Sequence, residues 1–538
     1  MPRPDDAAAP VAARTADDPT ADDPTAERPV RGAGGGDDVR RMARGGGLNI
    51  VGAAFSQGSL FVIMLVLALG TSGADVGRYS MCYALLTILT LVALGGVRAT
   101  MTRFVAMRLA DADPGAVRGT IRLGMGVAVG GSIAVSLALA LLAGRVADLL
   151  QEPGLREGIL LVALAVSAAT VQGAALAATQ GWRSQRAFTL IGQILDPGLR
   201  LVLTVLAVLL GYGLMGALWA LVVSSWTAAL LAVVVLVRRL RRVERARPTY
   251  TPRPMASFAV VSWGSTLATT GLVWTDTLIL GHLASAEDVG TYTVATRLVG
   301  LAIFVLNPIN SAFVPSVARL HHLGDRAGVD VAYGAANRWI IRLSAPAFVL
   351  LLVFPDDLLG MFSGGYASAA AVTVVLAVGQ LANAAAGPCG SVLNMTGHVR
   401  LSLADNVAAL VLNVVLNLLL IPRLGVLGAA LAWTVSLVLV NGVKWLQVRR
   451  LLGIRATGTG TGATLVAVLP AAALAVGLGL VLDGAAAVLL VAAPAVLLVY
   501  VAILLLRGLE PDDRAMLDQV LRRGGRGRRG RSSEASTV

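Results

Sequence analysis

Asp75-Val76-Gly77-Arg78-Tyr79 returns 213 residues later as Asp288-Val289-Gly290-Thr291-Tyr292. Each copy follows an apolar run that closes on a glycine after Leu-x-Leu, at Leu67–Gly70 and Leu278–Gly281. Gly213-Leu214-Met215-Gly216-Ala217 likewise returns as Gly425-Val426-Leu427-Gly428-Ala429, at an offset of 212. Thr179-Gln180-Gly181 answers loosely to Asn394-Met395-Thr396-Gly397, and Asp196 to Asp405. Features that recur at nearly one spacing mark a duplication, which predicts that helices 1–6 are repeated as helices 7–12. An even number of spans per copy gives both halves the same orientation, about an axis along the membrane normal.

The apolar runs are long enough to cross a bilayer, whose hydrocarbon core takes about 20 helical residues. They fall at 48–70, 76–97, 119–143, 158–180, 189–210, 213–237, 258–281, 289–311, 340–362, 369–393, 400–421, 425–447, 462–482 and 485–506. The expected fold is all-α and integral to the membrane. It has about fourteen transmembrane helices, as two six-helix lobes in a parallel repeat plus two extra C-terminal helices. Composition points the same way: 56% of the 538 residues are hydrophobic, 14% are charged, and the mean hydropathy is +0.76. Core volume grows too slowly with length for a soluble chain to hide that much apolar surface.

Loops rich in basic residues stay on the cytoplasmic side of a membrane. Alternate loops here are arginine-rich, at Arg40–Arg44, Arg98–Arg118, Arg183–Arg186, Arg238–Arg247, Arg319–Arg338, Arg400 and Arg449–Arg455. The intervening loops, such as Thr71–Asp75, Gly211–Gly213 and Ala284–Asp288, are short and carry little charge. Both termini are therefore expected on the cytoplasmic side. Residues 1–44 read as a disordered tail, 45–237 as the N-lobe and 238–257 as a basic cytoplasmic linker. The C-lobe follows at 258–450, then helices 13–14 at 451–507 and an amphipathic, basic tail at 508–538. The net charge of +13 sits in loop clusters rather than in a basic domain, so no nucleic-acid partner is expected.

Ionisable groups inside the hydrocarbon are costly and face a partner or a wet cavity. Arg200 and Asp196 share a helix face at i,i+4, where they can pair, and Pro197 between them predicts a kink. Asp276 and Arg297 fall at similar depth on consecutive helices and form a second candidate pair, either a structural ion pair or a gate or ion-coupling site. Thr269, Asn307, Asn310, Asn413 and Asn417 are candidates for the polar lining of a cavity between the lobes. Lys444, the one lysine among 44 basic residues, is expected to snorkel toward the cytoplasmic surface. Cys82 and Cys389 and the four scattered histidines have no metal-ligand spacing, and no nucleophile or paired-carboxylate constellation is present. Gly458-Thr459-Gly460-Thr461-Gly462 follows a basic loop rather than a strand and reads as a linker. No cofactor, metal or catalytic residue is expected.

Asp276-x-Leu278-Ile279-Leu280-Gly281, then Asp288-Val289-Gly290-x-Tyr292-x-x-Ala295-x-Arg297-Leu298, then Pro315, resemble the polysaccharide (O-antigen-type) flippases. Gly364-Gly365-Tyr366, Asn394-x-x-Gly397-x-x-Arg400, the run from Asn413 through Pro422 to Gly428, and Thr102-Arg103-Phe104 fit the same family. That family belongs to the MOP superfamily, with the MATE exporters and the lipid II flippase. The resemblance covers about residues 45–505 and is spread over many short matches. It implies alternating-access transport of polyprenyl-pyrophosphate-linked oligosaccharide from the inner to the outer leaflet of a bacterial cytoplasmic membrane. It implies a cationic cavity for the pyrophosphate, to which Arg200 and Arg297 correspond, with Arg103 or Arg98 at the cytoplasmic mouth. The partners it implies are the lipid-linked glycan, membrane lipids, and a glycan polymerase or glycosyltransferases.

Two other readings compete. A MATE-like exporter of organic cations needs an acidic cavity, and Asp196 and Asp276 each have an arginine neighbour in the sequence reading. A membrane-bound sugar polymerase or ligase needs a substantial external loop, and the loops on that side are short apart from the one near 144–157.

Overall fold

The computed structural model describes residues 35–182, 184–303, 306–362, 364–454 and 461–506. The tail expected at 508–538 and the glycine linker up to Gly460 lie outside them. The first lobe contains α1 (Gly35–Gly70), α2 (Gly73–Leu94), α3 (Val97–Ala110), α4 (Pro114–Leu149), α5 (Arg156–Gln180), α6 (Asp196–Leu209) and α7 (Gly213–Arg241). The second contains α8 (Pro252–Leu283), α9 (Ala286–Ala302), α10 (Leu306–His322), α11 (Arg326–Val353), the short α12 (Pro355–Leu359), α13 (Ala370–Ala386), α14 (Cys389–Met395), α15 (Val399–Leu424) and α16 (Val426–Leu452). Three further helices, α17 (Thr461–Gly479), α18 (Ala485–Ala487) and α19 (Ala493–Leu506), complete the chain. Residues 1–34 lie outside the described residues, and α1 begins within the segment expected to be a tail.

Among the described residues, eleven helices are long and apolar enough to cross a membrane, or twelve when α13 and α14, bent by 40°, count as one span. The expected fourteen exceeds this at two places. The run 289–311 breaks between α9, which has 17 residues, and α10. The other is 462–482, where α17 has 19 residues. Neither run is among the eleven. Leu141, Leu209 and Leu490 are each 77% exposed, as side chains facing lipid tails can be.

The repeated motif is a helix start. Ser72 accepts a hydrogen bond from the Asp75 amide (3.1 Å) at the head of α2. At the head of α9, Ser285 accepts from the Asp288 amide (3.1 Å), and the Asp288 carboxylate accepts from the Ser285 amide (3.1 Å), closing a capping box. Two residues further on, the glycines of the two copies meet. A Cβ at Gly77 would collide with the Ala286 carbonyl oxygen and stand 2.9 Å from the Gly290 nitrogen. A Cβ at Gly290 would collide with the Gly73 carbonyl oxygen and stand 3.3 Å from the Gly77 nitrogen. Glycine here lets two helix backbones touch.

Breaks within the helices are satisfied locally. Pro197 has no amide to donate to the preceding turn, and α6 is preceded by the π-helical segment Phe188–Leu195. At the bend between α13 and α14, Asn337 donates to the Ala385 carbonyl (3.1 Å) and Tyr333 donates to that of Ala386.

The apolar core shows how the lobes sit. One cluster, from Ile63, Tyr79, Ile159 and Leu221 to Leu280, Val289, Phe348 and Ile421, is shared by both lobes at the ends with short, weakly charged loops. Toward the arginine-rich loops the core divides. Val97, Met101, Ile121 and Leu236 form a cluster within the first lobe, and Phe313, Val317, Tyr333 and Val448 one within the second. The lobes share one core at one end; at the other their cores are separate, and α8 of the second lobe lies against the first, with Gly96 close to the Ala259 carbonyl and Phe104 against Phe258.

Candidate functional site

A cavity of about 780 Å³ lies between the first lobe and α8 of the second. Its walls come from α2, α3, α5, α6, α7 and α8. Arg98, Arg103, Asp196 and Arg200 all line it, so three arginines face one carboxylate. Gly95 and Gly96, both with positive φ (51° and 77°), turn the chain from α2 into α3 and aim Arg98 and Arg103 inward. These two are exposed at the mouth, whereas Arg200 is buried at depth, 7% accessible.

Arg200 donates to Asp196 (2.9 Å) and, through Nε, to Ser224 (3.4 Å). Gln172 donates to the other carboxylate oxygen of Asp196 (3.3 Å). A buried charge of either sign is costly alone, and this pair is closed by hydrogen bonds on both sides. Each of the four candidate arginines also stands over an aromatic ring: Arg98 over Phe188 (5.3 Å), Arg103 over Phe258 (4.6 Å), Arg200 over Tyr83 (5.5 Å) and Arg297 over Trp274 (5.0 Å). A ring face holds a guanidinium without consuming its N–H donors. Tyr83 and Trp274 are themselves 5.3 Å apart, which links Arg200 in the first lobe to Arg297 in the second. The Nε of Arg297 is buried without a hydrogen-bond partner.

Asp276 does not pair with Arg297 among the described residues. Its carboxylate accepts from Tyr292 (2.9 Å) and from Asn417 (2.6 Å), and Asn417 also donates to the Asn413 carbonyl (2.9 Å). Equal depth was the basis for expecting the pair, but depth does not fix helix face. The residue of α9 that meets the carboxylate is Tyr292, five residues before Arg297.

The expected polar lining is placed differently. Asn413 and Asn417 are fully buried between helices and do not line the cavity. Thr269 is exposed and donates to the Ser265 and Thr266 carbonyls (3.0 Å each); Ser262, Thr266 and Thr270 line the cavity from the same helix. The side chains of Asn307 and Asn310 lie outside the described residues. Lys444 does not snorkel; it is 9% exposed and donates to Asn406 (2.6 Å). Among the described residues, no cluster of three or more His, Cys, Asp or Glu could hold a metal ion, and both cysteines are free and buried. The aromatic supports, Tyr83 of α2, Phe188 of the π-helical segment, and Phe258 and Trp274 of α8, carry no signal in the sequence, since each of the four arginines they support comes from a helix other than that of its ring.

A family model described as "Polysaccharide biosynthesis protein" matches residues 42–321, just over half of the chain, and one described as MatE matches 263–419. The probable low-salt glycan biosynthesis flippase Agl15 of Haloferax volcanii is 26% identical over 164 residues, 30% of this chain and 35% of that protein. The probable flippase AglR of the same organism is 29% identical over 191 residues, 34% of this chain and 39% of that protein. The matched stretch thus spans little more than a third of either curated relative. Among solved structures, lipid II flippase MurJ in an inward closed conformation superposes with a TM-score of 0.66 at 10% identity, over 88% of this chain and 98% of that one. An inward-facing multidrug resistance MATE transporter of the MOP superfamily superposes with a TM-score of 0.63 at 14% identity, over 74% and 94%. At these identities the likeness is one of fold.

Proposed function

Because the chain belongs to the polysaccharide biosynthesis protein family, we propose that it is a flippase for polyprenyl-pyrophosphate-linked oligosaccharide. In this reading it carries the lipid from the inner to the outer leaflet of the cytoplasmic membrane for cell-surface polysaccharide synthesis. The observation that carries the reading is the cavity between the lobes, lined by Arg98, Arg103 and Arg200. Guanidinium forks match phosphate oxygens in bidentate geometry. Stacking on rings supports those forks while leaving donors for the ligand. Arg98 and Arg103 are the entry pair and Arg200 the deeper subsite to which the pyrophosphate passes; Arg297, which does not line the cavity, stands behind it through Trp274 and Tyr83.

Transport follows by alternating access. The glycine contact between α2 and α9 closes the far side while the arginine-lined side is open. With the arginine-rich loops and both termini in the cytoplasm, this is the loading state. Asp276, held by Tyr292 and Asn417 in the second lobe, is the candidate for ion coupling or gating. Asp196 is a weaker candidate, since Arg200 occupies it. A glycan polymerase or glycosyltransferases of the same pathway are the partners that would supply or consume the lipid-linked glycan.

The test is a titration of the purified protein in detergent with a polyprenyl-pyrophosphate oligosaccharide and, separately, with lipophilic cations. Binding of the pyrophosphate lipid, lost in Arg200→Ala or Arg103→Ala, is the expected result. Binding of cations alone, weakened by Asp276→Asn, would transfer the chain to the cation exporters and end the flippase reading.

A further inference from the structure

The wall of the cavity that carries no arginine is itself organised. On α8, Ser262, Thr266 and Thr270 follow the i±4 ridge, and Trp263 lies beside the first of them. Thr87 faces the same space from α2. These five residues span the two lobes, and none is charged.

The hydroxyls have a defined polarity. Thr266 donates its proton to the Ser262 carbonyl of its own helix (2.8 Å), and Thr87 donates to the Tyr83 carbonyl (2.8 Å). Each donor is spent, so each oxygen has only lone pairs left for a ligand. Such oxygens repel a phosphate, which is all acceptor, and take hydrogen bonds from ligand O–H or N–H groups. The indole N–H of Trp263 is spent in the same way, on the Leu91 carbonyl of α2 (3.0 Å), which fixes the ring at the cavity wall. A fixed ring whose polar edge is occupied has an apolar face to give. Acceptor oxygens beside an apolar ring suit a pyranose, which has hydroxyl donors around its rim and C–H groups on its faces.

We infer that Thr87, Thr266 and Trp263, with Ser262 and Thr270, form a sugar subsite that takes the first residue of the glycan, beside the arginines that take the pyrophosphate. The inference rests on the flippase reading and divides its cavity by chemistry, with N–H donors on α3 and α6 and acceptors with a ring on α8 and α2. The cavity then recognises the glycosylated lipid rather than the bare carrier, so spent carrier lipid does not compete on equal terms.

The experiment measures a ratio. Full-length protein in detergent is titrated with bare polyprenyl pyrophosphate and with the same lipid carrying one N-acetylhexosamine. The wild type is expected to prefer the glycosylated lipid on the order of tenfold, which a few neutral hydrogen bonds can supply. Thr87→Val with Thr266→Val should bring that ratio to within about threefold, as should Trp263→Ala, by removing the acceptors or the ring. Thr266→Ser and Trp263→Phe, which keep the hydroxyl and the ring, should retain the preference and show that its loss is not a folding defect. Arg103→Gln should weaken both lipids alike and leave the ratio standing. Equal affinity of the wild type for the two lipids, or a preference that survives the double threonine change, overturns the sugar subsite while sparing the arginine site. Failure of the wild type to bind either lipid removes the flippase reading and the subsite with it.

Discussion

Gly77 of α2 and Gly290 of α9 occupy the same position in the two repeats, and each stands against the backbone of the other's helix. A methyl group at either would meet main-chain atoms, which cannot rotate away. The contact seals the lobes at the end remote from the arginine-rich loops. Gly290→Ala should therefore weaken that seal by about 1–3 kcal/mol, the usual cost of overpacking. The readout is maleimide labelling of a cysteine placed at Thr291, which is buried beside the seam, after both native cysteines are changed to alanine. Labelling should be faster by about tenfold in the Gly290→Ala background; an unchanged rate would mean that α2 and α9 do not form the seal.

Arg200 and Asp196 are 2.9 Å apart with side chains 8% and 13% accessible. Removing one partner leaves a buried charge uncompensated, which costs about 3–5 kcal/mol. Arg200→Ala alone should lower the thermal midpoint in detergent clearly. Arg200→Gln with Asp196→Asn should recover most of that loss while still failing to bind the pyrophosphate lipid. Equal destabilisation in the single and double variants would show that the charges are not coupled.

Asp276 and Arg297 share no partner: Tyr292 and Asn417 hold the carboxylate, and Trp274 underlies the guanidinium. Asp276→Asn and Arg297→Gln should thus combine additively in stability, within about 0.5 kcal/mol. Partial rescue of one by the other, seen as a higher midpoint in the double variant than in either single, would place the two charges together after all.

Trp274 touches Arg297 but is not part of the cavity wall. Trp274→Leu should nonetheless weaken the binding of the pyrophosphate lipid. A desolvated cation–π contact is worth about 2 kcal/mol, or roughly thirtyfold. Trp274→Phe should keep most of the affinity. If Trp274→Leu binds as wild type does, Arg297 needs no ring to hold it.

Much of this was legible in the sequence, for identifiable reasons. The duplication showed because a helix start and a backbone contact both constrain residue type, fixing Asp75 and Asp288, Gly77 and Gly290. The serines of the caps, Ser72 and Ser285, completed the signal but were not used. Arg200 stood out because a charge in an apolar run needs a reason, and its partner lay one turn away on the same helix. Contacts between helices were less legible. Depth along a span can be counted, but the face a side chain presents depends on packing, so Tyr292 was not foreseen as the partner of Asp276. Lys444 was misjudged in the same way, since Asn406, which accepts its proton, comes from the neighbouring helix. The expectation of fourteen spans differs from the twelve among the described residues at the runs 289–311 and 462–482.

The reciprocal fit of Gly77 and Gly290 has the form of an isologous contact between identical subunits. A six-helix ancestor pairing with a second copy of itself in parallel would have met its twin at this glycine. In such a dimer any substitution strikes both sides of the seam at once, and the cavity must be symmetric. Fusion into one chain removes that restriction. Position 78 has become an arginine bound to Glu152 and Asp75, while its counterpart at 291 is a threonine. The same freedom lets the cavity draw its three arginines from α3 and α6 of the first lobe alone, so that it need not be symmetric.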